Sequence, residues 1–308
     1  MTAEQKGLVS AIITTHNRLE YLKKAIKSVK SQTYENIEII VVDDCSTDGT
    51  KEYCSKDKKI KYIEILKENH KNGNYARNLG IINSCGEFIA FLDDDDEWYS
   101  TKIEKQVKKF KRSDNIGMVY TNRKITVNDG KYSYITSINH ENKDDCRKRC
   151  LYNIFSVTST MMFRRKALES VKLFDENVNF WQETELLIRI CQEYMIDFVD
   201  EPLVLYRQYI KGKTQLSNNI EGFKQAVEYI NEKHMVLIDM LSDEEKKLRR
   251  QLILRDLSNR YTSQRNFFES RKCLYKLFKL DPSIKNFIKV IINFNNITKL
   301  KIKMLLKR

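Results

Sequence analysis

The sequence has no long hydrophobic run. No segment of its 308 residues reaches the roughly 20 consecutive apolar residues that a membrane-spanning helix needs. A chain threaded through a bilayer by helices is therefore not expected. The opening residues, MTAEQKGLVS, lack a basic stretch followed by a long apolar one, so a secretory signal peptide is not expected either. Cysteine is present without a framework. There are seven, an odd number, and the closest pair, Cys146 and Cys150, has no further Cys near it in sequence. That argues against a disulfide-stapled domain and for reduced thiols in a cytoplasmic protein. Neither GxGxxG nor GxxxxGK[ST] occurs. The usual glycine cradles for dinucleotides and triphosphates are thus missing, and any nucleotide must be held by side chains and a metal ion. No nucleic-acid-binding motif is recognisable.

What is present suits a folded enzyme-sized domain. A hydrophobic content of 41% supplies a core for one large domain, or for one domain and a smaller appendage. The net charge of +13 is unevenly placed: residues 246–308 hold 18 Lys/Arg against 3 Asp/Glu, which leaves the rest of the chain at −2. A basic end on a near-neutral body points to a polyanion: anionic lipid, an acidic glycopolymer or nucleic acid. The competing reading is an ordinary lysine-rich surface.

The pattern in the first hundred residues is strand, helix, strand, helix. Residues 8–15, LVSAIITT, form a β-branched apolar run and predict a buried strand. Asn17 is the expected N-cap of the next helix, whose Leu22, Ala25, Ile26 and Val29 fall on one face. Residues 37–42, IEIIVV, predict a second strand ending in Asp43 and Asp44. Residues 60–66 predict a third strand, 72–74 a turn and 75–83 a helix. Then comes EFIAFLDDDDEW, residues 87–98, where a short apolar run ends in four aspartates. This rhythm builds βαβ units and a mainly parallel sheet, and ligands bind such sheets at the carboxyl ends of the strands. Carboxylates crowded there repel one another and call for a shared proton or cation. A divalent ion carrying a diphosphate, Mn2+ or Mg2+, suits oxygen donors of this kind. A solvated acidic loop is the plainer alternative.

Four segments together resemble the successive motifs of the family 2 glycosyltransferases: TTHNR at 14–18, VVDDCSTDGT at 41–50, ARNLGI at 76–81 and FLDDDDEW at 91–98. The resemblance implies an α/β, GT-A fold: a mainly parallel central sheet flanked by helices, here with a C-terminal helical appendage. It implies a nucleotide-binding role for Thr14, Thr15, Asn17, Arg18, Asp44, Arg77, Asp93 and Asp94. Within that set Thr15 lines the base pocket, Asp44 contacts uracil and ribose, and Asp94 points toward the ribose. Asp95, with Asp93, is the implied metal ligand of a D-x-D element. Cys45 departs from the glycine common there.

Further along, residues 157–163 read as a strand and 165–171 as a short helix. Asn128-Asp129-Gly130 predicts a hairpin turn. LFDENVNFWQETELLIR, residues 173–189, resembles the family phrase that carries the catalytic Asp. Glu183 takes that position and is the implied base, with Glu185 as its rival. An inverting transferase needs one such group to take the acceptor hydroxyl's proton. Arg207, Lys211 and Lys213 are the expected diphosphate contacts. Ser242 and Glu245 form a capping box, and residues 261–282 read as one helix. The basic tail is expected to lie on an anionic membrane, on its own domain or on another subunit.

The expectation is thus a domain of residues 1–219 that binds and transfers a nucleotide-activated sugar, with a basic helical region at 220–308. It is expected to be a metal-dependent inverting enzyme using a UDP-sugar. The acceptor is a hydroxyl on a glycan, a lipid-linked glycan or a protein in bacterial surface-glycan synthesis, and no nucleic acid is involved. The expected location is cytoplasmic, with peripheral contact at the inner face of the membrane as an option. The alternative is a non-catalytic scaffold of the same fold working through its basic tail. An enzyme that makes nucleotide sugars is disfavoured by the missing glycine-rich loop.

Overall fold

The computed structural model describes residues 4–127, 132–136, 146–208 and 219–292. The chain divides into two units, Met1–Cys150 with Ile154–Ile210, and Leu151–Asn153 with Lys211–Arg308. Along the first unit run β1 (Gln5–Thr15), α1 (Leu19–Lys30), β2 (Ile37–Asp44), α2 (Thr50–Ser55), β3 (Ile60–Ile65), α3 (Gly73–Ile82), β4 (Gly86–Asp93), β5 (Glu97–Trp98) and α4 (Lys102–Phe110). They are followed by β6 (Ile116–Val127), β7 (Tyr132–Ile135), α5 (Arg149–Tyr152, whose last two residues belong to the second unit), β8 (Met162–Arg164), α6 (Arg165–Ser170), α7 (Gln182–Glu193) and β9 (Met195–Gln208).

The sheet grows outward from β1. Six consecutive residues of β1, from Leu8 to Ile13, are buried, as expected of a parallel strand covered on both faces. It pairs in parallel with β2 on one side and β4 on the other, and β3 adds in parallel to β2. The register decides where the polar residues go. Thr15 lies opposite Asp43, and Thr14 lies opposite both Val42 and Asp93. Three strand ends therefore reach one edge together. Beyond β4 the order is β8, β6, β9, β5, with β7 on β6. There β4–β8 and β8–β6 run antiparallel and β6–β9 parallel.

The helices pack close. A Cβ at Gly80 would come 2.4 Å from Ile12 Cγ2, so only glycine lets α3 lie this near to β1. Leu22, Ala25, Ile26 and Val29 of α1 are buried in one cluster with Val9, Ala11 and Ile13 of β1, as their spacing predicts.

The structure corrects several local expectations. Asn17 does not cap α1: it sits in the left-handed region, φ 51°, and its side-chain oxygen accepts from Thr47 N at 2.8 Å. Asp48 does the capping from the neighbouring loop, accepting from Leu19 N at 2.8 Å. Helix α3 starts at Gly73 rather than 75, because Asn72 caps it by accepting from Asn74 N and Tyr75 N. Residues 157–163 hold a 3-10 turn (Thr158–Thr160) before the three-residue β8. The cysteine pair also gains a neighbour. Cys191 of α7 lies beside Cys146 and Cys150, and burial pushes its thiol well above the usual range. The hairpin turn 128–130 lies outside the described residues.

The second unit holds α8 (Ile220–Lys233), α9 (Met235–Asp239), α10 (Asp243–Ser263), α11 (Phe267–Leu280) and α12 (Ile284–Ile292). The capping box of Ser242 and Glu245 is formed. The single helix expected at 261–282 is two, broken at Gln264–Asn266, where Arg265 takes φ 61°. Small hydroxyls let α10 and α11 meet: Ser270 Oγ lies 2.9 Å from Ser258 Oγ and 2.8 Å from Thr262 Oγ1, all buried.

Candidate functional site

At the shared strand edge, the four aspartates that end and follow β4 are gripped by groups from three other segments. Thr15, the last residue of β1, donates its hydroxyl to Asp94 Oδ2 at 2.7 Å. Arg18 spans two carboxylates with one nitrogen, Asp94 Oδ1 at 3.1 Å and Asp95 Oδ2 at 3.0 Å. Arg77 of α3 donates to Asp93 Oδ1 at 3.1 Å. From the end of β9, Arg207 donates its guanidinium to Asp95 O at 2.9 Å and its backbone N–H to Asp96 Oδ1 at 3.1 Å, and it pairs with Glu97.

These cations do not fully balance the carboxylates. Burial, then the neighbouring Asp93 and Asp94, push the Asp95 carboxyl up to about 6. Burial also raises Asp94, and it raises Asp96 well above the carboxylate range. Asp96 Oδ2 is buried without a hydrogen-bond partner. Asp95 and Asp93 keep some exposure, 20% and 34% of their side chains, whereas Asp94 keeps 6%. Hard oxygen donors, partly open and carrying excess negative charge, fit Mn2+ or Mg2+. Asp95 with Asp93 would hold such an ion.

Asp43 and Asp44 part company. Asp43 is buried and structural, accepting from Tyr62 OH at 2.7 Å and Ser46 N at 3.1 Å. Asp44 is partly open, and its carboxylate meets His70 Nδ1 at 2.8 Å. Asn17, from the turn after β1, binds the same loop through Ser46 and Thr47. Thr14 is half-buried at the end of β1.

Arg77 is the joint between the two carboxylate regions. Besides Asp93, its guanidinium donates to Gln182 Oε1 at 3.1 Å, at the first residue of α7. Its helix also holds the turn that leads into α7. Asn74 Nδ2 donates to Asp175 O at 2.7 Å and Val178 O at 2.8 Å. Asn78 exchanges two bonds with Phe174, donating to O at 3.0 Å and accepting from N at 3.1 Å.

On α7 the two glutamates differ in their ties. Glu185 is 1% exposed and forms a bidentate pair with Arg189, with Nε–Oε1 at 2.9 Å and Nη2–Oε2 at 2.6 Å. Arg189 in turn donates to Leu173 O at 2.8 Å. That pair fastens the helix to the turn before it. Glu183 is half-buried and accepts from the hydroxyl of Thr158. The adjacent Ser159 hydroxyl accepts from Asp93 N at 3.1 Å, and its carbonyl accepts from the Trp98 indole at 2.8 Å. Thr158, Ser159 and Gln182 thus connect the aspartate run to α7, and sequence reasoning missed all three. The segment of the first two, VTST, carries no signal beyond its polarity. Lys211 and Lys213 lie outside the described residues.

Residues 10–172 match the description "Glycosyl transferase family 2". An uncharacterized glycosyltransferase of Rickettsia conorii is 35% identical over 237 residues, covering 75% of this chain and 37% of the relative. The chain spans about a third of the length of the first three curated relatives it matches. A relative of nearly equal length is the GalNAc(5)-diNAcBac-PP-undecaprenol beta-1,3-glucosyltransferase of Campylobacter jejuni, 28% identical over 304 residues, with 95% and 96% of the two chains covered. Among solved structures, TarS 1–349 of S. aureus in complex with UDP-GlcNAc aligns with a TM-score of 0.63 at 19% identity, over 89% of this chain and 81% of that one. The fold is thus of the GT-A type, with added C-terminal helices.

Proposed function

The chain belongs to glycosyl transferase family 2, and from that premise we propose that it transfers a sugar from a UDP-sugar to a hydroxyl of a polyprenyl-diphosphate-linked bacterial glycan. The observation that carries this reading is the aspartate run at the carboxyl end of β4, held by Thr15, Arg18 and Arg77. A relative of nearly full coverage named for an undecaprenol-diphosphate acceptor supports the acceptor class. A neighbour of the same fold holding UDP-GlcNAc supports the donor class.

In this reading Thr14, Thr15, Asn17, Arg18 and Asp44 bound the pocket for base and ribose, with Asp94 fixed behind them. Asp95 with Asp93 holds the divalent ion, which when bound offsets charge on the diphosphate. Glu183 is the general base. The acceptor oxygen bonds to C1 of the sugar, the C1–O bond to the diphosphate breaks with its electron pair leaving on UDP, and the hydroxyl proton passes to Glu183. Inversion at C1 follows from this single displacement. Glu185 is unsuited to that task because Arg189 already occupies both its oxygens. Arg77 positions the two halves by holding Asp93 and Gln182 at once. Arg207, bound to the Asp95 carbonyl and Glu97, contributes positive charge beside the diphosphate.

The acceptor class also gives the basic end a task. In α12, Ile284, Phe287, Ile288 and Ile291 recur at i, i+3, i+4 and i+7, and all are 47% exposed or more. After Asp281 the chain carries seven Lys/Arg and no acidic residue. Apolar residues along one helix face beside lysines suit the surface of an anionic membrane, where a lipid-linked acceptor would be met. Among the described residues, no helix is long and apolar enough to cross a membrane.

The test combines binding with turnover. UDP with Mn2+ at about 100 times its dissociation constant should stabilise the wild type by about 2.7 kcal/mol, and the Mn2+ contribution should vanish in Asp95→Asn. With a UDP-sugar and a polyprenyl-diphosphate glycan, Glu183→Gln should keep UDP binding and lose about 10²–10⁴-fold in kcat. Undiminished turnover in Glu183→Gln would remove it as the base. No response to any nucleoside diphosphate would sink the transferase reading.

A further inference from the structure

We propose that Asp44, Cys45 and His70 form a binding site for a thiophilic divalent cation of the Zn2+ class, separate from the aspartate run. Among the described residues, this is the group whose His, Cys and carboxylate ligand atoms converge, all within 4.8 Å of one another. Cys45 Sγ stands 3.9 Å from Asp44 Oδ1, and His70 Nδ1 stands 2.8 Å from the same oxygen. A tetrahedral zinc with a Zn–S bond of about 2.3 Å and Zn–N or Zn–O bonds of about 2.0–2.2 Å sets its ligands roughly 3.3–3.6 Å apart. Relative to Asp44 Oδ1, the sulfur would close in by a few tenths of an ångström and the imidazole would open by about half an ångström, and sulfur and imidazole would close on each other from a separation of at most 4.8 Å. The ion would then replace the hydrogen bond that now joins imidazole to carboxylate.

The fold delivers these three groups from two distant segments. Asp44 ends β2 and pairs with Ile65, the last residue of β3. The chain after β3 therefore leaves beside Asp44, and the 3-10 turn Lys67–Asn69 brings His70 back to it. Cys45 adopts φ 53°, in the left-handed region that side chains other than Asn, Asp and Gly seldom occupy, and in that turn its thiol faces the Asp44 carboxylate. The Asp44 carbonyl is held by His16 Nδ1 at 2.5 Å, so the carboxylate stands on a fixed backbone. Sulfur, nitrogen and a single carboxylate favour zinc or cobalt over the magnesium and manganese that suit Asp93–Asp95. Three protein ligands leave the fourth position open to water or an added ligand, and both Cys45 and His70 are accessible to an ion from solvent. Binding replaces the thiol proton, which passes to solvent. The transfer chemistry proposed above uses neither Cys45 nor His70. If Asp44 contacts base and ribose as in that reading, an ion on this site takes the carboxylate away and excludes the nucleotide.

Cobalt titration of the full chain, without Mn2+, tests the site. The expected result is one equivalent of tetrahedral cobalt with thiolate-to-metal absorption, displaced by Zn2+, abolished in Cys45→Ser and weakened tenfold or more in His70→Ala. Absence of the thiolate band in the wild type, or its persistence in Cys45→Ser, would overturn the proposal. Thermal stabilisation by UDP and Mn2+ is read in parallel on the wild type and Cys45→Ser, and should survive the substitution. A wild type that gives no cobalt signature while UDP still binds refutes the metal site alone. A normal cobalt signature with no UDP response refutes the transferase reading alone.

Discussion

Lys102 opens α4 with a fully buried side chain, and its Nζ lies 4.0 Å above the Trp98 ring with no hydrogen-bond partner. An ammonium there faces the positive end of the helix dipole and has given up its hydration. Burial accordingly holds the amine well below its ordinary value of 10.5. The folded state binds fewer protons here than the unfolded state at any pH between the depressed value and 10.5. Stability from this group therefore rises with pH toward 10.5 and is lost as pH falls through the depressed value. Lys102→Met keeps the volume and removes the buried amine. We expect about 1–3 kcal/mol of added stability at neutral pH and a flatter dependence on the alkaline side, read from urea unfolding at a series of pH values. Unchanged stability and slope would mean that Trp98 fully compensates the ammonium.

At the scale of elements, α3 works as a clamp. Its Asn74, Arg77 and Asn78 hold the turn before α7, so the helix bearing Glu183 is placed by side chains more than ninety residues earlier in the chain. Asn78→Ala strands the backbone N–H and carbonyl of Phe174 in a buried setting. It should cost about 1–3 kcal/mol and lower kcat more than the affinity for UDP, measured by unfolding and by steady-state kinetics. Equal losses in both constants would show that the clamp serves the nucleotide instead. The strand ends at Thr15, Asp44 and Asp93 were legible because each is a local change, from an apolar run to a polar residue. Asp48 as the cap of α1, and Gln182 as a partner of Arg77, were not legible, because each depends on a distant segment. Strand β9 was hidden by its own content: Asp200, Glu201 and Pro202 interrupt it. The structure accommodates them at irregularities in the β6–β9 register around Asn122↔Pro202, where a residue without an N–H is tolerated. The break between α10 and α11 escaped notice because Arg265 takes its left-handed turn without a glycine.

Over the whole molecule, charge and chemistry are kept apart: the carboxylate site lies in a part of the chain near neutrality and the cationic excess follows residue 245. Phe287→Asp with Ile291→Asp should therefore cut sedimentation with phosphatidylglycerol-containing vesicles by tenfold or more while leaving turnover on a detergent-soluble acceptor unchanged. Equal binding to zwitterionic vesicles, or no effect of the double substitution, would assign α12 to another task. The parallel register of β1, β2 and β4 has a further consequence, in time. The ties that make the site join residues far apart along the chain: 76 residues separate Arg18 from Asp94, 105 separate Arg77 from Gln182, and 112 separate Arg207 from Asp95. Contacts of such separation are slow to form, and synthesis delivers the chain from its N-terminus. A ribosome-bound chain can build β1 to β4 early, yet it cannot close the aspartate run until Arg207 has emerged. On the proposed transferase reading, the fully tied site then appears only when the first unit is nearly finished, and a shortened chain is expected to hold donor less tightly than the whole unit.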